Sequence, residues 1–315
     1  YFNYNGGNVL TAASYTQVQI TSATNAATIF TSPNGTIRTR DQEIQNFANW
    51  FQYYRSRILT ARAGVGRAFA KQGTSIRVGF SSINQGSATI DGVASNGSLI
   101  DGARSFSGTN RTDFFNSLYA HEIPTFGTPL RSALQNVGAY FQRDDNTGPW
   151  SETPGTSNTS SHLTCRQSYN ILMTDGYWNG PDPTVANSDS VNGSTMSGPN
   201  NADYQYIAGA PYQDSTANTL ADVGMEYWKT DLRTDLANEV PTNGLDPAFW
   251  QHLVNFTVGL GVTGSLNPST DLPGLNAGTT NWPAPTTNAA KIDDLWHTAV
   301  NSRGNFFSAS DPDAF

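Results

Sequence analysis

Strand-period and helix-period segments take turns along this chain, and that alternation directs it to an α/β fold with a mainly parallel sheet. Over residues 254–262 apolar side chains (Val254, Phe256, Val258, Leu260, Val262) fall on every second position, the period of a half-buried strand. Gly259 and Gly261 lie on its opposite face, where a helix backbone could approach closely. Residues 169–174 (YNILMT) are a short apolar strand ending in Asp175-Gly176. Ile76, Val78 and Phe80 mark another strand, and residues 99–106 alternate in the same way and are expected to pair beside it. Helical patterns separate these strands. Ile44, Phe47, Ala48, Phe51, Tyr54, Ile58, Val65 and Phe69 recur at helical spacing, Thr39 with Gln42 has the form of a capping box, and Gly73 is a stop signal. One long amphipathic helix is expected over 39–71. Residues 113–120 and 129–141 give shorter helices, the second with Pro129 at the favoured first position. A further helix runs from Leu220 to Leu236 and is ended by Pro241.

Stretches rich in Asn, Ser, Gly and Pro lie between these elements, at 1–38, 144–168, 178–217 and 264–288. None has a helix–strand pattern of its own, so they read as polar insertions in a single domain, 1–315. Charged residues make up 13% of the chain, about half the usual share of roughly 25%. With Asp+Glu 25 against Lys+Arg 17 the net charge is −8, which leaves no electrostatic footprint for nucleic acid. An uncharged polar surface of this kind is expected of an extracellular protein. The 7 Trp, 13 Tyr and 16 Phe supply the apolar area for a core and argue against a disordered chain. No apolar run approaches the roughly 18 residues of a membrane span. Cys165 is the single cysteine, which excludes an internal disulfide and any cysteine-cluster metal site. It is expected to be an unpaired, small buried hydrophobe. The sequence starts at Tyr1 with no methionine and reads as a piece of something longer.

Common catalytic signatures are missing: there is no Gly-x-Ser-x-Gly elbow and no phosphate-binding Gly-x4-Gly-Lys loop. His121-Glu122 opens like a zinc-protease helix, but residue 125 is Thr. The segment 187–193 imitates a calcium loop, yet Val191 stands at a ligand position and no terminal Glu follows. The four histidines (121, 162, 252 and 297) share no ligand spacing. Two residues stand out by position. Asp175 closes an apolar strand, and open parallel sheets bind ligands beyond the carboxyl ends of their strands. Thr128 lies in the loop before the Pro129 helix. A carboxylate and a hydroxyl at one sheet edge suit a hard divalent cation, although Asp-Gly is also a common turn and Thr before Pro a common helix cap.

The segments Gly127-Thr-Pro-Leu-Arg-Ser-Ala-Leu134 and Ile171-Leu-Met-Thr-Asp-Gly-Tyr-Trp-Asn179 resemble the second and third elements of a von Willebrand factor type A domain. Four further blocks, at 46–55, 221–233, 246–252 and 292–301, extend the resemblance to the N-terminal part of the PilY family, proteins of the tip and assembly of type IV pili. The resemblance implies a doubly wound, Rossmann-type sheet flanked by helices. It also implies a metal-ion-dependent adhesion site holding Mg²⁺, or Mn²⁺ or Ca²⁺ in its place, with Thr128 and Asp175 as ligands. Tyr177, Trp178 and Asn179 are the neighbouring ligand-binding residues, and Tyr204, Tyr206 and Tyr212 are candidates for partner contact or for packing the insertion. The family's first metal-site motif, Asp-x-Ser-x-Ser, occurs nowhere in the sequence.

The implied function is non-catalytic: an extracellular binding module at the pilus tip, associated with the outer membrane. Its partners would be pilin or minor pilins and a host or surface ligand with an acidic group. A structural or mechanical tip element with a degenerate metal site is the second expectation. A carbohydrate-active hydrolase is remote, since no carboxylate pair stands out.

Overall fold

The computed structural model describes residues 2–8, 11–17, 30–31, 35–95, 97–123, 126–156, 158–159 and 161–309. The chain divides into two compact units, Tyr1–Ala63 and Gly64–Phe315. In the first, β1 (Phe2–Tyr4) pairs antiparallel with β2 (Tyr15–Gln17), and β3 (Phe30–Thr31) with β4 (Ile37–Arg38). Helix α1 (Arg40–Tyr54) opens with the expected capping box: Gln42 N donates to Thr39 Oγ1 at 3.4 Å and Thr39 N to Gln42 Oε1 at 2.9 Å. The single helix expected over 39–71 is two. α1 ends at Tyr54 with Arg55 as its C-cap, and α2 (Arg57–Ala70) starts afresh where the Ser56 hydroxyl accepts from Leu59 N at 3.3 Å. A short hydroxyl side chain at that point competes for the backbone and caps a new helix. Nor does α1 bury an apolar face. Ile44, Phe47 and Phe51 are all exposed, with Phe47 in ring contact with Trp50 and Phe51.

The second unit continues through β5 (Arg77–Ser81), β6 (Ala88–Ile90), β7 (Val93–Ser95), β8 (Leu99–Ser105), α3 (Gly108–Ala120), α4 (Leu130–Phe141) and β9 (Tyr169–Thr174). Then come β10 (Thr195–Ser197), β11 (Asp203–Gln205), α5 (Leu220–Lys229), β12 (Val254–Leu260), α6 (Pro268–Asn276), α7 (Asn288–Asn301) and β13 (Phe306–Ala309). β5 and β8 pair beside each other as expected, but antiparallel and outside the parallel sheet, packing Val78 and Phe80 with Phe69, Phe106 and Phe114. β9, β12 and β13 form a parallel sheet in that order. The fold is therefore mixed α/β. Among the described residues the parallel sheet has three strands, and the other strands form two-stranded antiparallel pairs.

Several boundaries differ from expectation for local reasons. α3 begins at Gly108, and Pro129 is the N-cap of α4 rather than its first helical residue. α5 ends at Lys229 because Thr230 turns extended, so Leu232 reaches the core from beyond the helix. The insertions carry short elements: β1–β4 in 1–38, the β10–β11 hairpin in 178–217, and α6 in 264–288. Cys165 is unpaired but exposed, because the irregular stretch before β9 gives it no apolar cover. No helix among the described residues is long and apolar enough to cross a membrane.

Helices α4, α5 and α7 pack on one face of the parallel sheet, where Leu130, Leu134, Leu172, Val223, Tyr227 and Leu295 meet. β12 turns the opposite face to them from the one its apolar alternation suggests. Asn255 and Thr257 are wholly buried, whereas Phe256 and Val258 are half-buried. The buried polar row is largely paired: Thr257 Oγ1 donates to Leu295 O, and Asn170 Nδ2 to Asn255 Oδ1, both at 2.9 Å, while Asn255 Nδ2 has no hydrogen-bond partner. The register sets Phe256 beside Ile171 and Val258 beside Phe307, and Ile171 and Phe307 are more than half exposed. Gly259 consequently meets the side chains of Val262 and Phe306 instead of a helix backbone, and Gly261 occupies a positive-φ position past the strand end.

Candidate functional site

At the carboxyl edge of the sheet, the chain leaves β9 through Asp175-Gly176, with Gly176 N donating to Thr174 Oγ1 at 3.1 Å. Asp175 is exposed there. Thr128 is half-buried and is not the cap of α4, since Pro129 takes that position. The structure clasps the two loops together: Thr128 N donates to Asn179 Oδ1 and Asn179 N to Thr128 O, each at 2.9 Å. Asn84 Nδ2 closes the same loop by donating to Gly127 O. The Asn179 carboxamide oxygen is thus already used in joining the loops.

Trp178, expected to face a partner, is a core anchor. It is buried, its Nε1 donates to Asp294 Oδ2 at 2.8 Å, and its ring lies between the Arg131 guanidinium (3.9 Å) and Lys291 Nζ (4.7 Å). Buried Arg131 braces the same segment through Asp182, the Gly180 carbonyl and the Asn218 carbonyl. An aromatic side chain between two cations gains cation–π attraction only while it stays put. Tyr177, 38% exposed, and Phe126, 80% exposed two residues before Thr128, are aromatic residues that these loops present to solvent. Tyr206 is buried with Trp228 and Trp250, Tyr204 packs its ring on Trp250, and the Arg303 guanidinium lies 3.7 Å over Tyr212. These three tyrosines hold the 178–217 insertion against the domain.

A second group of titratable side chains lies buried beside that insertion. Asp189, Asp214 and His297 each offer a ligand atom within 4.8 Å of the others. Asp189 Oδ2 is 3.6 Å from His297 Nε2, and Asp214 Oδ2 is 3.8 Å from His297 Nδ1. His297 Nε2 contacts the Tyr212 carbonyl at 2.6 Å, and the ring stacks on Trp282 at 4.2 Å. Burial pushes the Asp189 carboxyl up to about 8 and Asp214 up to about 6, and drives His297 down to about 3. Burial likewise raises Asp294 to about 7, against the pull of donors from Leu220, Ala221 and Trp178. The sequence carries only a faint signal for this cluster. Asp189 sits in the segment 187–193 that imitates a calcium loop, while Asp214 and His297 join it only through the fold.

No protein-family model matches the chain. No solved structure matches it either. Curated relatives do. The type IV pilus biogenesis factor PilY1 of Pseudomonas aeruginosa strain PAK is 36% identical over 343 aligned positions, covering 99% of this chain and 27% of that protein. PilY1 of strain PAO1 of the same species is 37% identical over 301 positions, covering 86% of this chain and 25% of its own length. The chain thus spans about a quarter of the length of the curated relatives it matches.

Proposed function

The chain belongs to the PilY family over nearly its whole length, and from that membership we propose that it is a non-catalytic binding module of a type IV pilus biogenesis factor. It acts outside the cell, at the pilus tip and in association with the outer membrane. The observation that carries the reading is the match to PilY1 together with the clasped edge that presents Thr128, Asp175 and Tyr177. We take the domain to be of the von Willebrand factor A type. The parallel order β9-β12-β13, with α5 and α7 as crossovers, supports this. Parallel sheets are covered on both faces, so the side bearing Ile171 and Phe307 is where the second helical layer of a doubly wound sheet would lie.

A hydroxyl and a carboxylate are hard oxygen donors of the kind Mg²⁺ takes while keeping several waters. Thr128 and Asp175 would hold such an ion, or Mn²⁺ or Ca²⁺ in its place, and the ion supplies a positive anchor for a partner's carboxylate. This chain's own part is to fix the two loops through the Thr128–Asn179 pair and to offer the Tyr177 ring beside them. The partners are pilin or minor pilins and a host or surface ligand bearing an acidic group. A second reading, a structural tip element with a degenerate site, is favoured by one observation: Trp178 and Asn179 are spent on the fold. Thr128→Ala and Asp175→Ala in the full-length protein separate the two. Loss of Mg²⁺ heat in calorimetry and at least about tenfold weaker surface attachment on normally assembled pili are expected. Lost assembly with attachment per pilus unchanged would move the conclusion to the structural reading.

A further inference from the structure

We propose that the cavity beyond the carboxyl ends of β12 and β13 is a binding site for an uncharged sugar ring. It shares no residue with the Thr128–Asp175 edge and adds a second kind of contact to the binding module. The cavity has a volume of about 550 Å³, within the range of small-molecule sites. Val262, Ile292 and Trp296 line it as buried residues, with half-buried Leu266 and Phe306 beside them. Thr263, Ser265, Asn267, Ser269 and Ser308, all exposed, bring hydroxyl and carboxamide groups to its mouth. An apolar lining with a few placed polar groups is the usual build of a ligand site.

Asp293 of α7 holds the loop that forms this mouth. Leu266 N donates to Asp293 Oδ1 and Ser265 N to Oδ2, both at 3.0 Å, and the Ser265 hydroxyl donates to Oδ2 as well. Gly264 lets the loop lie this close, since a Cβ there would collide with the same carboxylate. The site is therefore in place before a ligand arrives, which removes an ordering cost from binding. The same bonds disfavour charged ligands. Among the described residues Asp293 is the only ionisable group of the lining, and both its oxygens are engaged. The start of α6 offers an anion little, because Ser269 N donates to Asn267 Oδ1 at 3.0 Å, and Thr270 N and Asp271 N to Asn267 O at 3.1 and 2.9 Å.

Trp296 sets what the ligand must carry. Six tryptophans are buried among the described residues, and five of them (Trp150, Trp178, Trp228, Trp250 and Trp282) donate the indole N–H to a protein acceptor. Trp296 is 5% exposed, and among the described residues nothing accepts from its Nε1, an atom that is not sealed from solvent. The cavity that Trp296 lines is the opening available to it. Buried indole N–H groups usually find a partner, and one left unpaired is costly. A purely aliphatic ligand would leave it so, whereas an oxygen set into an apolar body satisfies it. At the mouth, the Thr263 hydroxyl and Asn267 Nδ2 also have no partner among the described residues. A pyranose ring matches all three features. Its C–H face suits Val262, Ile292 and Phe306, its oxygens accept from Trp296 and Asn267, and its hydroxyls exchange hydrogen bonds with Thr263.

The test is a titration of the isotope-labelled chain, followed through the indole N–H resonances of its 7 Trp. The probes are methyl glycosides of glucose, galactose, mannose and N-acetylglucosamine. Glucuronate is the charged control and N-acetylalanine methylamide the peptide control. At least one neutral glycoside is expected to shift the Trp296 resonance, identified by its loss in Trp296→Phe, with a Kd of about 1 mM or tighter. Glucuronate should bind at least about fivefold more weakly, because its carboxylate would meet Asp293. Thr263→Val and Asn267→Asp change exposed side chains, and the second keeps an oxygen to cap α6. Each should weaken the glycoside at least about fivefold, with the other indole resonances unmoved as a check of the fold. The Thr128→Ala/Asp175→Ala double variant should bind the glycoside as the parent does, so failure of the edge reading would leave this site standing. No shift of the Trp296 resonance with any glycoside up to about 10 mM would overturn the site. So would unchanged affinity in both mouth variants, or a peptide control that binds as tightly as the best glycoside.

Discussion

Asp145 illustrates how a single carboxylate couples this fold to pH. Arg143 Nε and Nη2 grip its two oxygens at 2.8 and 2.9 Å, and Thr147 N donates at 2.9 Å. The guanidinium holds the carboxyl well below the usual carboxylate range. Because the folded value lies under the unfolded one of about 3.9, the stabilisation is present above that pH. It is lost as pH falls towards the folded value. Asp145→Asn should therefore cost about 1 kcal/mol near neutral pH, a figure held down because the side chain is 35% exposed. The cost should shrink as pH drops below about 4. Urea midpoints of the two proteins across that range check it. A gap that stays constant would assign the effect to the Thr147 bond instead.

Asp294 does for a helix what Arg143 does for Asp145. It belongs to α7, yet its carboxylate accepts from Leu220 N and Ala221 N, both at 3.0 Å, at the start of α5. The helix's own capping box, Thr219 with Asp222, serves Thr219 N and Asp222 N, so α7 satisfies donors that α5 cannot satisfy alone. Asp294→Ala would leave these two donors and the Trp178 indole N–H buried without an acceptor, at about 3 kcal/mol or more. A denaturation midpoint lowered by less than about 1 kcal/mol would mean that water enters and replaces the carboxylate. The same interaction marks where sequence reading reaches its limit. The Thr39–Gln42 capping box and the strands β9 and β12 were legible because each is written within a few residues. The break at Ser56 and the polar inner face of β12 were not, because packing against α7 decided the second and one hydroxyl the first. For the site, Thr128 and Asp175 could be singled out by position, and the Thr128–Asn179 clasp joins their two loops. Trp178 could not be recognised as an anchor without Asp294, nor Asp189 as a cluster member without His297. Those partners are brought by the fold from far along the chain.

Across the chain as a whole, apolar burial is unevenly shared. Every cluster of buried hydrophobic residues among those described lies between Val65 and Phe306, including the aromatic group of Trp228, Phe249 and Trp250. Upstream, α1 has no buried residue and exposes Phe47, Trp50 and Phe51. Apolar burial is the dominant favourable term in folding, so stability should reside in the second unit. A version beginning at Arg57, which keeps α2 whole, should unfold in one cooperative transition. Its melting temperature should match that of the 315-residue chain to within about 2 °C, the shift that less than about 1 kcal/mol produces in a domain of this size. Differential scanning calorimetry of the two proteins measures this directly. A drop of about 10 °C or more, or a broadened transition, would mean that residues 1–56 complete the core. Exposed aromatic side chains on α1 would then have to be explained by folding rather than by association. If the melting temperatures agree, the Phe47–Trp50–Phe51 group is free of any duty to the core. Its retention in a strongly polar chain then becomes a question of what it binds.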